Sequence, residues 1–259
     1  INIPDDFYRD ILKRQAVVNP DLLFVLKIQD ENGGFSEEEF IYSNGIVDYV
    51  NEIADNQNIT SVQNWHCEKV GRDRADRNDY KVKISVALTF SNKIRKIEYY
   101  HNSSFLEYGG SPEKAVKQAF VSQIDSYLKQ NGKYLKNEAK ITFADIEDCL
   151  IFVSSSFSTQ TSYENQTKKA INNKFIYEAM TEFLKHNLEV YFIENPDEAI
   201  KIAEQVLVNK RSRENAEKTR LNLKKRLAGT IDLSNMVQKF VDCRTKDVSR
   251  RELYIVEGD

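Results

Sequence analysis

Cysteine is scarce in this chain: Cys67, Cys149 and Cys243 are odd in number, far apart and without Cys-x-x-Cys spacing. That pattern excludes a disulfide framework and a zinc knuckle, and it is the usage of reduced thiols in a cytosol. His66 and Cys67 are the single adjacent His–Cys pair, too little for a metal site. Long apolar runs are missing as well. None approaches the ~20 residues of a membrane span, and the N-terminus lacks a signal-peptide layout, so no membrane partner is expected and a cytoplasmic location is. No charge sign dominates: 37 Lys and Arg stand against 40 Asp and Glu, a net charge of −3. This balance excludes a global field that would draw the protein onto nucleic acid or a membrane, so any basic surface must be local. The chain shows no internal repeat and no low-complexity segment. Its first residue is not Met and its last lies just after a strand-like run, so it reads as a fragment.

What is present suffices for a core, with 41% hydrophobic and 11% aromatic residues in a chain of 259, enough for one large or two ordinary domains. Pro4-Asp5-Asp6 opens a helix with apolar positions Phe7, Ile11, Leu12 and Ala16, closed by Asn19-Pro20. A strand is expected over 22–28, a turn at Asn32-Gly33-Gly34 and a returning strand at Phe40-Ile41-Tyr42. A composition shift near residue 43 marks a domain boundary, and Ile46, Val47, Tyr49, Val50 and Ile53 form a short helix beyond it. Alternation predicts strands over 62–68, 80–90 and 94–100, the first two joined by a charged, mobile loop over 71–79, with Trp65 in the core.

Ser111 as N-cap and Pro112 at the first helical position start a helix that buries Ala115, Val116, Ala119, Phe120, Ile124, Tyr127 and Leu128 and stops at Asn131-Gly132. A strand from Cys149 to Ser156 follows, then a polar break and a helix carrying Ile176, Ala179, Met180, Phe183 and Leu184. This order of strands and helices defines a mixed α/β domain. Asn195 and Glu198 have capping-box spacing for a last helix that buries Ala199, Ile200, Ala203, Val206 and Leu207 and ends at Gly229. Beyond Val208 its apolar stripe disappears. Residues 209–226 hold eight Lys and Arg against only Glu214 and Glu217, so the basic charge of the chain is concentrated there. A helix polar all round either crosses solvent or lies on a charged partner.

The polar break Tyr163-Glu164-Asn165-Gln166-Thr167-Lys168 sets an amide and an ammonium together between strand and helix, where a lysine can reach a bound polyphosphate. The terminal stretch Glu252 to Asp259 is an apolar strand ending in a carboxylate, a glycine and a second carboxylate. Taken in order with Ile11-Leu12-Lys13-Arg14, Asn19-Pro20-Asp21-Leu22, Phe40 to Ile46, Phe157 to Lys168 and Ile231-Asp232-Leu233 through Lys239, these stretches resemble the ATPase component of bacterial type IIA DNA topoisomerases, gyrase B and its topoisomerase IV counterpart. The resemblance covers nearly the whole chain. It divides the chain into the tail of a GHKL-type ATPase domain (1–43), a transducer domain (44–210), and a basic helix with the start of a toprim domain (211–259). The implied fold is an α+β two-layer sandwich: a mixed sheet with packed helices and a left-handed βαβ crossover, followed by a long helix. Generic rules for connections disfavour that hand.

The resemblance also implies roles. Gln166 and Lys168 bind ATP, with Lys168 on the γ-phosphate, and Glu257 serves DNA cleavage by acid–base action and by holding Mg²⁺ in a site that is incomplete here. Lys117, Lys218, Arg220, Lys224, Lys225 and Lys239 are the implied DNA contacts. The implied partners are DNA, a second copy of the full protein and the breakage-rejoining protein of the topoisomerase, gyrase A or its counterpart. Two stretches depart from the family pattern: Glu107-Tyr108-Gly109-Gly110-Ser111 stands where Glu-Gly-Gly-Thr is usual, and Met236-Val237-Gln238-Lys239 replaces Leu-Pro-Gly-Lys. The ATPase glycine motifs, the paired toprim aspartates and the DNA-cleaving tyrosine are not in the chain, so alone it should be inactive. Two other readings stay open: the second domain of a GHKL ATPase of mismatch-repair or chaperone type, which would lack the Glu257-Gly258-Asp259 strand end, and a non-enzymatic DNA-binding scaffold built on the basic helix.

Overall fold

The computed structural model describes residues 3–30, 32–229, 245 and 247–253, with side chains described outside 226–229. The chain forms two compact units, Ile1–Arg211 and Ser212–Asp259. In the first unit, α1 (Asp5–Val18), the antiparallel hairpin β1 (Phe24–Gln29) and β2 (Phe35–Phe40), and α2 (Ile46–Ala54) precede a five-stranded sheet. That sheet has the order β3-β4-β7-β5-β6, built from β3 (Gln63–Gly71), β4 (Tyr80–Phe90), β5 (Lys96–His101), β6 (Ser104–Phe105) and β7 (Leu150–Ser158). Among the described strands only β5 and β7 pair in parallel, and the connection between them carries α3 (Ser111–Gln130) and α4 (Phe143–Glu147). The parallel pair makes the sheet mixed, with helices in the connection, as the sequence resemblance implies.

The alternation in β4 decides which face is the core. Val82, Ile84, Val86, Leu88 and Phe90 all point to one side, where they meet Ala115, Val116, Ala119, Phe120 and Ile124 of α3 and Ile176, Met180, Phe183 and Leu184 of α5 (Lys174–Glu194). Phe120 is fully buried, with its ring edge-on to Phe152 at 5.7 Å. Trp65 is half-buried at the margin of this core, 6.1 Å from the Tyr191 ring. Ala87 and, from β7, Ile151 and Val153 face the other way and are covered by Ile46, Tyr49, Val50 and Ala54 of α2. Adjacent strand residues point to opposite faces, which separates Cys67, packed against the main core, from His66.

Several local expectations are corrected by tertiary contacts. In α1, Phe7 and Ile11 are exposed, and Ala16 and Val17 are the buried positions. The returning strand of the first hairpin is Phe35–Phe40, through the acidic run Glu37 to Glu39, because the turn is held by Asp30, whose carboxylate accepts from the amides of Asn32 and Gly34 at 2.8 Å each. Ser111 does not cap α3. Its hydroxyl donates to the Asn173 carbonyl at 2.9 Å, and Gly110 occupies the cap position. The capping box at Asn195 is replaced in the same way. The Asn195 amide donates to the Tyr191 carbonyl, while Glu198 accepts from the Ser61 amide at 2.8 Å and from the Tyr191 hydroxyl. In α6 (Pro196–Gly229), Ile202 is buried and Ile200 is the exposed neighbour.

The charged loop after β3 is fastened at its two ends. Asp73 accepts from the Tyr80 hydroxyl at 3.0 Å, the Phe175 amide at 2.8 Å and the Asn173 side chain at 2.8 Å, and Arg72 pairs with Asp79 at 2.7 Å.

Candidate functional site

The site grows from the end of β7. There the chain leaves the sheet through Thr159 to Ser162, and a buried side-chain network fixes the exit. His101, with no solvent exposure, places Nδ1 2.8 Å from Ser156 Oγ and Nε2 2.8 Å from Thr161 Oγ1. Asn102 donates to the Ser158 carbonyl at 3.1 Å and accepts from the Ser158 amide at 3.0 Å. Burial pushes the His101 pKa down to about 4, so the ring is neutral near neutral pH. Nothing in the local pattern around His101 signals this role, since all its hydroxyl partners lie at least 55 residues away.

From this exit the chain makes a hairpin. Tyr163 and Ile171 form an antiparallel bridge, the Glu164 amide donates to the Ala170 carbonyl at 3.0 Å, and the Asn172 amide donates to the Ser162 carbonyl at 2.9 Å. The stem is fastened sideways to the turn before α3. The Tyr108 amide donates to the Lys169 carbonyl at 3.0 Å, the Ser111 amide to the Ile171 carbonyl at 2.8 Å, and Lys169 pairs with Glu107. The backbone approach at Gly110 leaves no room for a side chain: at φ +84° an added Cβ would lie 2.2 Å from the Ile171 carbonyl oxygen. This contact explains Gly110 in the departing stretch Glu107 to Ser111.

At the tip, the Lys168 amide donates to the Asn165 carbonyl at 3.3 Å and Thr167 donates to the Asn165 side chain. Lys168 itself sits at φ +57°, a region that residues with a side chain seldom occupy. Residues 164–168 are all exposed. The Lys168 ammonium lies 5.6 Å from the centre of the Tyr163 ring and makes no ion pair among the described residues. The structure therefore presents an amide, Gln166, and an uncompensated ammonium, Lys168, at the end of a braced stem. That arrangement suits a phosphate brought from outside the described residues.

The other residues expected to act are dispersed. Lys117 on α3 pairs with Glu113 at 2.6 Å and sits 5.8 Å from the Phe143 ring, so much of its charge is compensated locally. Lys210 belongs to no solvent-facing basic surface: it is fully buried and pairs with Glu138 at 3.2 Å. Arg211 clasps the same carboxylate with two bonds of 3.0 Å. The Arg211 bonds, followed by the Leu135 amide and Lys210, hold the Glu138 pKa down to about 2. In the second unit, Lys218, Arg220, Lys224 and Lys225 are exposed on α6, with Arg220 3.4 Å from Glu217. Lys239 and Glu257 lie outside the described residues, and no group of three His, Cys, Asp or Glu among those described could hold a metal ion. No described helix is long and apolar enough to cross a membrane.

Solved structures share this architecture. The 43K ATPase domain of Thermus thermophilus gyrase B matches with a TM-score of 0.61 over 85% of this chain and 57% of that one, at 21% identity. The ATP binding domain of Francisella tularensis topoisomerase IV matches at 0.58 over 82% and 55%, at 19% identity. At such identities the likeness is one of fold, the fold of a type II topoisomerase ATPase region. The DNA gyrase B family profile matches residues 45–222, and the chain belongs to that family. The gyrase B protein of Metamycoplasma hominis is 28% identical over 260 aligned residues, all of this chain and 39% of that protein. Its counterpart from Metamycoplasma arthritidis is 30% identical over 85% of this chain and 34% of its own length. The chain thus spans little more than a third of the curated relatives it matches.

Proposed function

We propose that this chain is the coupling segment of the ATPase component of a cytoplasmic, ATP-dependent type II DNA topoisomerase, linking nucleotide state to DNA cleavage and strand passage. Residues 1–43 would be the tail of a GHKL-type ATPase domain, 44–210 the transducer, and 211–259 a basic helix leading into a toprim domain. The observation that carries this reading is the placement of Gln166 and Lys168 on the exposed tip of a hairpin whose stem is bonded to the turn before α3. ATP, held by the preceding domain, would supply the phosphate. Lys168 would donate a charge-assisted hydrogen bond to its terminal phosphate, with Gln166 beside it. When that phosphate is lost the bond is lost, and the hairpin is released to bias the elements braced on it.

Glu257 is assigned the acid–base role in DNA cleavage and a share in Mg²⁺ binding. Lys117, Lys218, Arg220, Lys224, Lys225 and Lys239 are assigned weak, sequence-independent contacts to DNA phosphates. The working enzyme would pair two copies of the full-length protein with the breakage-rejoining protein, gyrase A or its counterpart. The gyrase B family match over 45–222 favours this reading over a mismatch-repair or chaperone ATPase and over a DNA-binding scaffold with no nucleotide response.

The deciding experiment changes Lys168 to Ala in the full-length protein. ATP turnover should fall by about a hundredfold or more, with unfolding unchanged, because an exposed charge and no core contact is removed. A wild-type rate would make the hairpin ordinary surface. Glu257→Ala should spare ATP turnover and impair DNA cleavage, and the reverse pattern would overturn the division of roles.

A further inference from the structure

A cleft of about 790 Å³ opens at the base of the same hairpin. Its walls are the loop after β3, residues Gln160 to Ser162 where the chain leaves β7, and Asn172 to Lys174 where it enters α5. All of its lining residues are polar or charged, and none is aromatic. The loop's sequence is charge-balanced, with Arg72, Arg74 and Arg77 against Asp73, Asp76 and Asp79. The fold undoes that balance. Asp79 is taken by Arg72, Asp76 is exposed on the loop outside the cleft lining, and Asp73, which does line the cleft, is occupied by bonds from Tyr80, Asn173 and the Phe175 amide. Arg74 and Arg77 are left lining the cleft, both exposed and both without an ion-pair partner among the described residues. Lys174 adds a third cation from α5, a helix with no acidic residue in its first turn. Its pair with Glu178, at 3.4 Å and mostly exposed, compensates it weakly.

We infer that this cleft is a binding site for a small oligophosphate anion, held by Arg74, Arg77 and Lys174 and separate from the phosphate contact at Lys168. Guanidinium groups match phosphate oxygens in paired hydrogen bonds, and Arg74, Arg77 and Lys174 outweigh the single carboxylate of Asp73 in the lining, which suits a ligand with several adjacent negative charges. The lack of an aromatic or apolar wall gives a nucleoside base nothing to stack on, so recognition is of the phosphates alone. Asn173 connects the cleft to the hairpin: its side-chain oxygen accepts from the Ser162 amide at 2.7 Å while its amide donates to Asp73. An anion drawing the Arg74 and Arg77 loop onto α5 therefore steadies the stem on which Lys168 is mounted.

Inorganic tripolyphosphate titrated into the chain by calorimetry, at low and at physiological salt, tests this. Wild type should bind one equivalent, and the double variant Arg74→Gln, Arg77→Gln should bind at least about tenfold more weakly, since each loses a charged hydrogen bond. Both positions are exposed, so thermal unfolding should not change. The pair Lys218→Gln, Lys224→Gln on α6 and the single change Lys168→Ala should bind as wild type does. An unaltered affinity in the Arg74, Arg77 variant, or an equal loss in the α6 variant, overturns the site. A short DNA duplex that displaces tripolyphosphate and depends equally on the two arginines would make it a nucleic-acid contact, and would overturn the small-anion assignment. Because Lys168→Ala leaves this binding intact, failure here and failure of the ATP-contact reading are separate results.

Discussion

The side-chain amide of Asn173 donates a 2.8 Å hydrogen bond to Asp73, 100 residues earlier in the chain. Asn173 is buried, and the same side chain accepts from the Ser162 amide at 2.7 Å, so one residue joins the loop after β3, the hairpin stem and the start of α5.

Asn173→Ala should therefore act at a distance. It removes two part-buried bonds at once, the acceptor of the Ser162 amide and the donor to an Asp73 carboxylate oxygen, a loss of about 1–3 kcal/mol. Chemical denaturation should report that loss, and hydrogen exchange should quicken in the 162–172 stem while the β4 amides stay protected. Unchanged exchange in the stem would show that Asn173 does not brace it.

His101 should make stability depend on pH. Its folded pKa is lowered, by burial, from 6.5 to about 4, so between those values the unfolded chain takes up the proton first. Its contribution is whole above the unfolded value and fades as pH falls through this window, by roughly 3 kcal/mol at the limit. Unfolding free energies measured at pH 7 and pH 5 for wild type and His101→Asn should differ in slope, with the variant the flatter. Equal slopes would mean that the ring is protonated in the folded chain.

Glu138 is clasped by both Lys210 and Arg211, and its side chain is only 8% exposed. Replacing it with Ala leaves the buried Lys210 without this counter-charge, and removing one member of a buried ion pair costs about 3–5 kcal/mol. Its pKa is depressed from 4.5 to about 2, first by the Arg211 bonds, so its stabilisation is present above the ordinary carboxylate value and is lost as pH falls toward 2. The double change Glu138→Leu, Lys210→Met should recover most of the stability lost in Glu138→Ala. A double variant no better than the single one would show that Lys210 draws little from this carboxylate.

DNA binding through α6 should be weak, indifferent to sequence and sensitive to salt. The logarithm of the association constant should fall with log salt at about 0.9 per phosphate neutralised. Changing Lys218, Arg220, Lys224 and Lys225 together to Gln should flatten that slope. If wild type and variant bind a duplex equally, or neither binds at low salt, the exposed half of the helix is a mechanical connection only.

Sequence by itself determined the elements whose signal is periodic. The five apolar residues of β4 recur every second position and all reach the core, and the α3 stripe from Ala115 to Leu128 is buried apart from the half-buried Tyr127. The switch in α6 from an apolar stripe to a basic surface was legible for the same reason: neighbours on one helix face are only three or four residues apart. The polar break holding Gln166 and Lys168 could be located from sequence, because strand and helix patterns stop on either side of it. Only the tertiary structure decided what that break is. It is a hairpin because Ile171 bonds to Ser111 and because Gly110 lets two backbones meet. The burial of Lys210 against Glu138, the enclosure of His101 by hydroxyls from β7, and the bonding of Asp73 to Asn173 were equally decided in three dimensions. Each depends on a polar partner 55 to 100 residues distant, and a charge or an imidazole carries no periodic mark of the partner that it will meet.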